Sequence, residues 1–106
     1  MTTVTETYRE ARDHLLALSG KHEQAVAEFR WPDLGEQFNW ATDWFDAVAR
    51  GNDRDALVIV EETGETTRVS YDTMSRRSDQ VAAWLAAQGV GKGDPVLLML
   101  GNQVEL

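Results

Sequence analysis

A chain of 106 residues with 18 acidic and 10 basic side chains, a net charge of −8 and no cysteine has the size of one ordinary domain. The acid excess argues against a nucleic-acid backbone or an anionic membrane surface as partner, and the missing thiols exclude disulfides, thiolate metal sites and cysteine nucleophiles. Met1 to Glu6 holds neither a basic nor an apolar run, and the longest apolar run is Pro95 to Leu100, so neither a signal peptide nor a membrane span is expected and a cytoplasmic location fits.

Thr3 and Glu6 have the spacing of a capping box, and Tyr8, Ala11, Leu15 and Leu18 then recur at helical spacing until Ser19-Gly20 interrupts. A second short helix is expected over roughly Lys21 to Phe29, ended by Trp31-Pro32 because a residue before proline is pushed out of the helical region. Pro32 to Gly35 reads as a turn-rich connector. FNWATDWFDAVARGN then predicts a third helix, with Thr42 as its cap, Asp43 in its first turn, and Gly51-Asn52 as its stop.

The period changes at Ala56. Ala56 to Val60 is a β-branched apolar run, Glu61 to Glu65 a turn, and Thr66 to Ser70 a second strand, which together predict a hairpin. Ser70 can cap a fourth helix that carries Met74, Ser78, Val81, Ala82 and Leu85 on one stripe and stops at Gly89. Pro95 to Leu100 reads as a strand of the kind buried on both faces. Gln103 to Leu106 gives barely one helical turn after Gly101-Asn102, so the sequence is expected to stop in the middle of an element.

Few residues suggest chemistry. GVGKGDPVLLMLGN, Gly89 to Asn102, has the texture of a phosphate loop, but its glycines follow a helix and precede a strand, the reverse of the order that aims helix N-terminal amides at an anion. Lys92 is followed by Gly93 and not by Ser or Thr, so the Walker pattern also fails. The glycines therefore read as a helix stop and a turn. Phe29, Trp31, Phe38, Trp40, Trp44 and Phe45 crowd one stretch, with Arg30 the one basic residue near them; this fits a core or docking surface better than a platform for bases. Asp53 and Asp55 lack the glycine and distal glutamate of a calcium loop. His14 and His22 lack a metal-binding partner pattern, and Glu61, Glu62 and Glu65 are expected to face water. No serine stands in a nucleophile elbow.

The order of elements is more informative than any one motif. FNWATDWFDAVA, a hairpin, and then VSYDTMSRRSDQVAAWLAAQGVGKGDPVLLMLGNQVEL resemble the opening of the AMP-forming acyl-CoA synthetases in the adenylate-forming superfamily. Phe38-Asn39-Trp40-Ala41 is most similar to the medium-chain acyl-CoA, acetyl-CoA and benzoate-CoA ligase branches. In that family a Ser or Thr followed by Tyr opens a long helix that ends in Gly-Val-x-x-Gly-Asp and runs into an apolar strand; Ser70-Tyr71 and Gly89 to Asp94 match this. The resemblance implies an α/β fold in which N-terminal helices, a hairpin, a helix and a buried strand form an incomplete part of the large N-terminal domain. It divides the chain into a helical extension, 1–37, and the start of the AMP-binding domain, 38–106.

The implied chemistry has two steps. A carboxylate and ATP give an acyl-adenylate and pyrophosphate; coenzyme A then displaces AMP to give a thioester. ATP, Mg and coenzyme A would serve the whole enzyme and none of them this stretch, because the family's phosphate loop, adenine-side motif, ribose-binding Asp, hinge and catalytic lysine have no counterpart in these 106 residues. No catalytic, cofactor-binding or metal-binding residue is therefore assigned. The expected partners are the remainder of a longer polypeptide and a second copy of the chain. The alternative reading is a small stand-alone acidic α/β protein-interaction module.

Overall fold

In a computed structural model the chain is described over residues 1–104. It divides into two compact units, Met1–Ala47 and Val48–Leu106.

The first unit opens with α1, Val4–Ala17. The expected capping box is formed: the Glu6 amide donates to Thr3 Oγ1 at 3.2 Å and the Thr3 amide donates to Glu6 Oε2 at 2.7 Å. Gly20, at φ 79°, lets the Lys21 amide reach the Leu18 carbonyl and closes the helix. The second helix, α2, covers His22–Glu28. It stops before Trp31-Pro32, not at it, because Phe29 is already extended and Arg30 donates to the carbonyls of Val26 and Phe29, two groups the helix end would leave unpaired.

The third helix departs from expectation. Trp40–Phe45 forms a π-helical turn that passes into α3, Asp46–Ala49, and its cap is Asn39, not Thr42. Asn39 Oδ1 accepts from the Ala41 amide at 3.0 Å, while Asp43 Oδ2 accepts from the Asn39 amide at 2.7 Å. This is a reciprocal box with four residues between its members' starts instead of three, as the wider π turn requires. Thr5 of α1 donates its hydroxyl to the Asp43 carbonyl at 2.5 Å, and α1 packs against the π turn.

The second unit holds the hairpin. β1, Asp55–Val60, pairs antiparallel with β2, Thr66–Ser70, and sets Leu57 across from Val69 and Ile59 across from Thr67. A bulge between Asp55 and Leu57 absorbs Ala56, so Ala56 and Leu57 are both half-buried on a strand that otherwise alternates. A two-stranded hairpin is marginal in water. It is supported by α4, Tyr71–Ala87, which packs on both strands.

Every early amide of α4 is used. Tyr71 N–H donates to the Arg54 carbonyl and Asp72 N–H to the Asn52 carbonyl, both at 3.0 Å, while Thr73 N–H donates to the predicted cap Ser70 Oγ at 3.2 Å. Asp72 reaches back: Oδ1 accepts from the Gly51 amide at 2.9 Å and Oδ2 from Arg76 Nε at 2.7 Å. Its carboxyl is held below the usual carboxylate range, first by the Gly51 N–H and then by Arg76; Glu6 is held low first by the Thr3 N–H and then by the Thr3 hydroxyl. Both folded values lie below the unfolded ones. Their stabilisation is therefore full above the ordinary carboxylate range and is lost as pH falls through the depressed values. Acid titration followed by circular dichroism is expected to show a loss of helix that Asp72→Asn makes less steep.

Pro95–Leu100 does not form the expected buried strand. Among the described residues the sheet contains β1 and β2 alone, and no ladder reaches this segment. A strand of this composition needs neighbours on both edges and both faces, which the described residues do not supply. The expected helical turn after Gly101-Asn102 begins as a bend and a turn up to Val104, and its last residues, Glu105 and Leu106, lie outside the described residues.

Among the described residues the buried apolar side chains are few, Leu18 and Trp44 in the first unit and Ala49 and Val69 in the second, with Ser75 the buried polar one. The accessible surface is 8695 Å² for 11.9 kDa, whereas even two separate compact bodies of half that mass would expose roughly 7,200 Å². Much apolar surface is therefore left uncovered.

Candidate functional site

The glycine-rich stretch is resolved by its hydrogen bonds. α4 ends in a Schellman motif: the Gly89 amide donates to the Ala86 carbonyl at 3.0 Å and the Val90 amide to the Leu85 carbonyl at 3.1 Å, with Gly89 at φ 85°. Leu85 and Val90, the positions whose apolar side chains pair in this motif, are both half-buried. A β-turn follows, in which the Asp94 amide donates to the Gly91 carbonyl at 3.1 Å and Gly93 takes the left-handed position at φ 93°. The Gly91 amide is taken by Asp94 Oδ2 at 2.8 Å. A phosphate would meet amides already spent on the chain's own carbonyls, and a carboxylate beside them. The stretch stops one helix and redirects the chain, as its order in the sequence implies.

The aromatic residues gather in the first unit around a side chain that sequence density did not reveal. Tyr8, on α1, lies 5.7 Å from Trp31, 5.6 Å from Phe38 and 4.8 Å from Trp44 between ring centroids. Phe29 meets Trp31 edge-on at 5.0 Å and stacks with His14 at 6.0 Å. Arg12, one turn beyond Tyr8, sits 5.1 Å above the Trp44 ring. The helical spacing of Tyr8 to Arg12 was the available signal. Trp44 is buried, Trp31 and Trp40 are exposed, and Trp40 stacks with Phe45 at 5.8 Å. The cluster is the packing centre of its unit.

The remaining candidates are dispersed. Asp55 pairs across the hairpin with Arg68, which separates it chemically from Asp53. His14 and His22 are exposed, as are Glu61, Glu62 and Glu65 at the hairpin turn. Among the described residues no three His, Cys, Asp or Glu side chains are placed to hold a metal ion. A hollow of about 380 Å³ between Arg50-Gly51 and the first turns of α4 is edged by ion pairs, Arg50 to Asp79 at 3.1 Å and Arg76 to Asp72 at 2.7 Å.

What the second unit does present is apolar surface. The predicted stripe of α4 is there, but instead of being buried it lines an open groove of about 760 Å³ formed with Trp84 and Val104 and edged by Arg77. Val81 and Trp84 are exposed, and the segment Val96 to Leu100 is exposed throughout. A helix that covers a hairpin with its first turns and offers water an apolar groove along the rest is a layer of a larger α/β body.

Comparison with known proteins gives that body a family. The AMP-binding enzyme family matches residues 44–106, more than half of the chain. The chain belongs to the AMP-binding enzymes. It is also similar to an acetyl-coenzyme A synthetase of Thiobacillus denitrificans, 33% identical over 78 residues that make up 73% of this chain and 12% of that protein. The chain thus spans about an eighth of the length of the curated relative it matches. No solved structure matches it.

Proposed function

We propose that these residues form scaffold at the start of the large domain of an ATP-dependent, AMP-forming acyl-CoA ligase. The parent enzyme would join a small carboxylic acid to AMP with release of pyrophosphate and then pass the acyl group to coenzyme A, with Mg assisting at the nucleotide, in the cytoplasm. The observation that carries this reading is the match over 44–106 laid on a unit whose α4 groove and Val96–Leu100 segment lack covering polypeptide. The printed name of the similar synthetase supports a thioester-forming branch.

The chain contributes architecture and no reacting group. Two measurements test this. Acid-dependent exchange of pyrophosphate into ATP is expected to stay at background with the purified 106-residue chain; exchange above background would place a catalytic site inside it. The coding sequence beyond Leu106 is expected to continue into a Ser/Thr/Gly-rich phosphate loop. A stop codon at that point, with a monomeric product that unfolds cooperatively, would favour the interaction module instead.

A further inference from the structure

Trp40 and Phe45 lie five residues apart, yet their rings stack at 5.8 Å and 19° from parallel. In an α-helix residues five apart point about 140° away from each other around the axis, so this stack depends on the π turn. The turn is defined at its end by one bond, in which the Asp46 amide donates to the Ala41 carbonyl five residues back. The sequence offers the same amide another acceptor. With Thr42 as cap, the first bond of an ordinary α-helix would run from Asp46 N–H to the Thr42 carbonyl, and Asp43 would stand favourably in the first turn. One donor and two neighbouring carbonyls thus separate the two forms.

A π turn is rare beside the α form, so this one needs support. Two supports lie within it, the Trp40–Phe45 stack and the Asn39–Asp43 box. The third is α1, the one that can be withdrawn. Thr5, Tyr8 and Arg12 stand at i, i+3 and i+7 on one face of that helix and are half-buried. The Thr5 hydroxyl donates to the Asp43 carbonyl, the Tyr8 ring centroid lies 4.8 Å from that of Trp44, and the Arg12 guanidinium lies over the same indole. We infer that α1 is a conformational latch. Docked, it holds 40–45 in the π turn; released, it lets the Asp46 amide shift its bond by one residue, so that the segment becomes the start of an α-helix capped by Thr42. The family match begins at Trp44, and the latch therefore sets the backbone at the first residue of the family segment from a helix that precedes it. Undocking of α1 is converted there into a one-residue change of register. The inference stands on the geometry of the first unit and not on the reaction proposed above.

The acceptor of the Asp46 amide can be read directly from scalar couplings across hydrogen bonds in isotope-labelled protein. In the parent chain that amide should couple to the Ala41 carbonyl. Thr5→Val keeps the shape of the side chain and removes the bond to Asp43; it should shift the balance toward coupling with the Thr42 carbonyl by about fivefold, and the nuclear Overhauser effect between the Trp40 and Phe45 rings should weaken in step. Thr5→Ser keeps the donor and should keep the parent pattern. Adding Thr42→Ala to Thr5→Val takes the cap from the α form and should return the coupling to Ala41. Coupling to Ala41 undiminished in Thr5→Val, coupling to Thr42 already in the parent, the same shift in Thr5→Ser, or no return with Thr42→Ala would each overturn the inference. So would loss of both couplings in Thr5→Val, which would mean that the turn unfolds and does not switch.

Discussion

Trp44→Ala is expected to unfold the first unit while leaving the second one folded. Trp44 is 9% exposed and is, with Leu18, one of two buried apolar residues of Met1–Ala47. It is held by Tyr8 on one side and Arg12 on its face. Truncating a buried tryptophan costs about 3 to 5 kcal/mol, and a unit of this size has little more than that to lose. Thr5 would also lose its acceptor, since the Asp43 carbonyl it bonds belongs to the same π turn. Near-ultraviolet circular dichroism should lose its aromatic signal, while amides of α4 and the hairpin keep their protection from hydrogen exchange. An unchanged aromatic spectrum would show that Tyr8 and its neighbours pack without Trp44.

Val69→Asp is expected to part the hairpin from α4. Val69 is the buried residue of β2, facing Leu57 across the ladder, and the next residue is the cap of α4. A carboxylate there has no cation assigned to it and would cost about 3 kcal/mol or more, so strand pairing and helix capping should fail together. Val58→Asp makes the control. It lies on the opposite, exposed face of the same hairpin, across from Arg68, and should change stability by no more than about 0.5 kcal/mol. Chemical denaturation of the two variants measures the contrast; equal effects would mean that the hairpin does not present one buried and one exposed face.

Much of this fold was legible because its local signals agree with one another. Thr3 and Glu6 box the start of α1, Ser70 caps α4, Gly89 ends it, and the change from helical to alternating period at Ala56 marks the hairpin. Each depends on residues within a few positions, where spacing fixes geometry. The π turn was not legible, because Asn39 and Asp43 bond one residue further apart than a capping box and Thr42 offered a conventional cap nearby. Nor was the role of Tyr8, whose ring partners lie more than twenty residues away along the chain.

The strand reading of Pro95–Leu100 shows a different limit. Composition states what environment a segment requires, and these residues require burial, but it does not state whether the same chain provides it. The functional reading has the same character. No cluster of side chains announced a reaction; the order helix, hairpin, capped helix, glycine turn and apolar run carried the resemblance, and the family match over 44–106 agrees with it. The AMP-binding assignment rests on the family match over 44–106, within which Ser70 caps α4 through its hydroxyl and Gly89 and Gly93 turn the chain at positive φ.

Hydrogen exchange on the 106-residue chain, diluted until sedimentation shows monomer alone, puts the uncovered layer to the most direct trial. The amides of Val96 to Leu100 should exchange as fast as in an unstructured peptide while those in the middle of α4 and in the hairpin are slowed by orders of magnitude. Slow exchange at Val96 to Leu100 in that monomer would mean that the chain covers its own apolar segment, and the scaffold reading would fall.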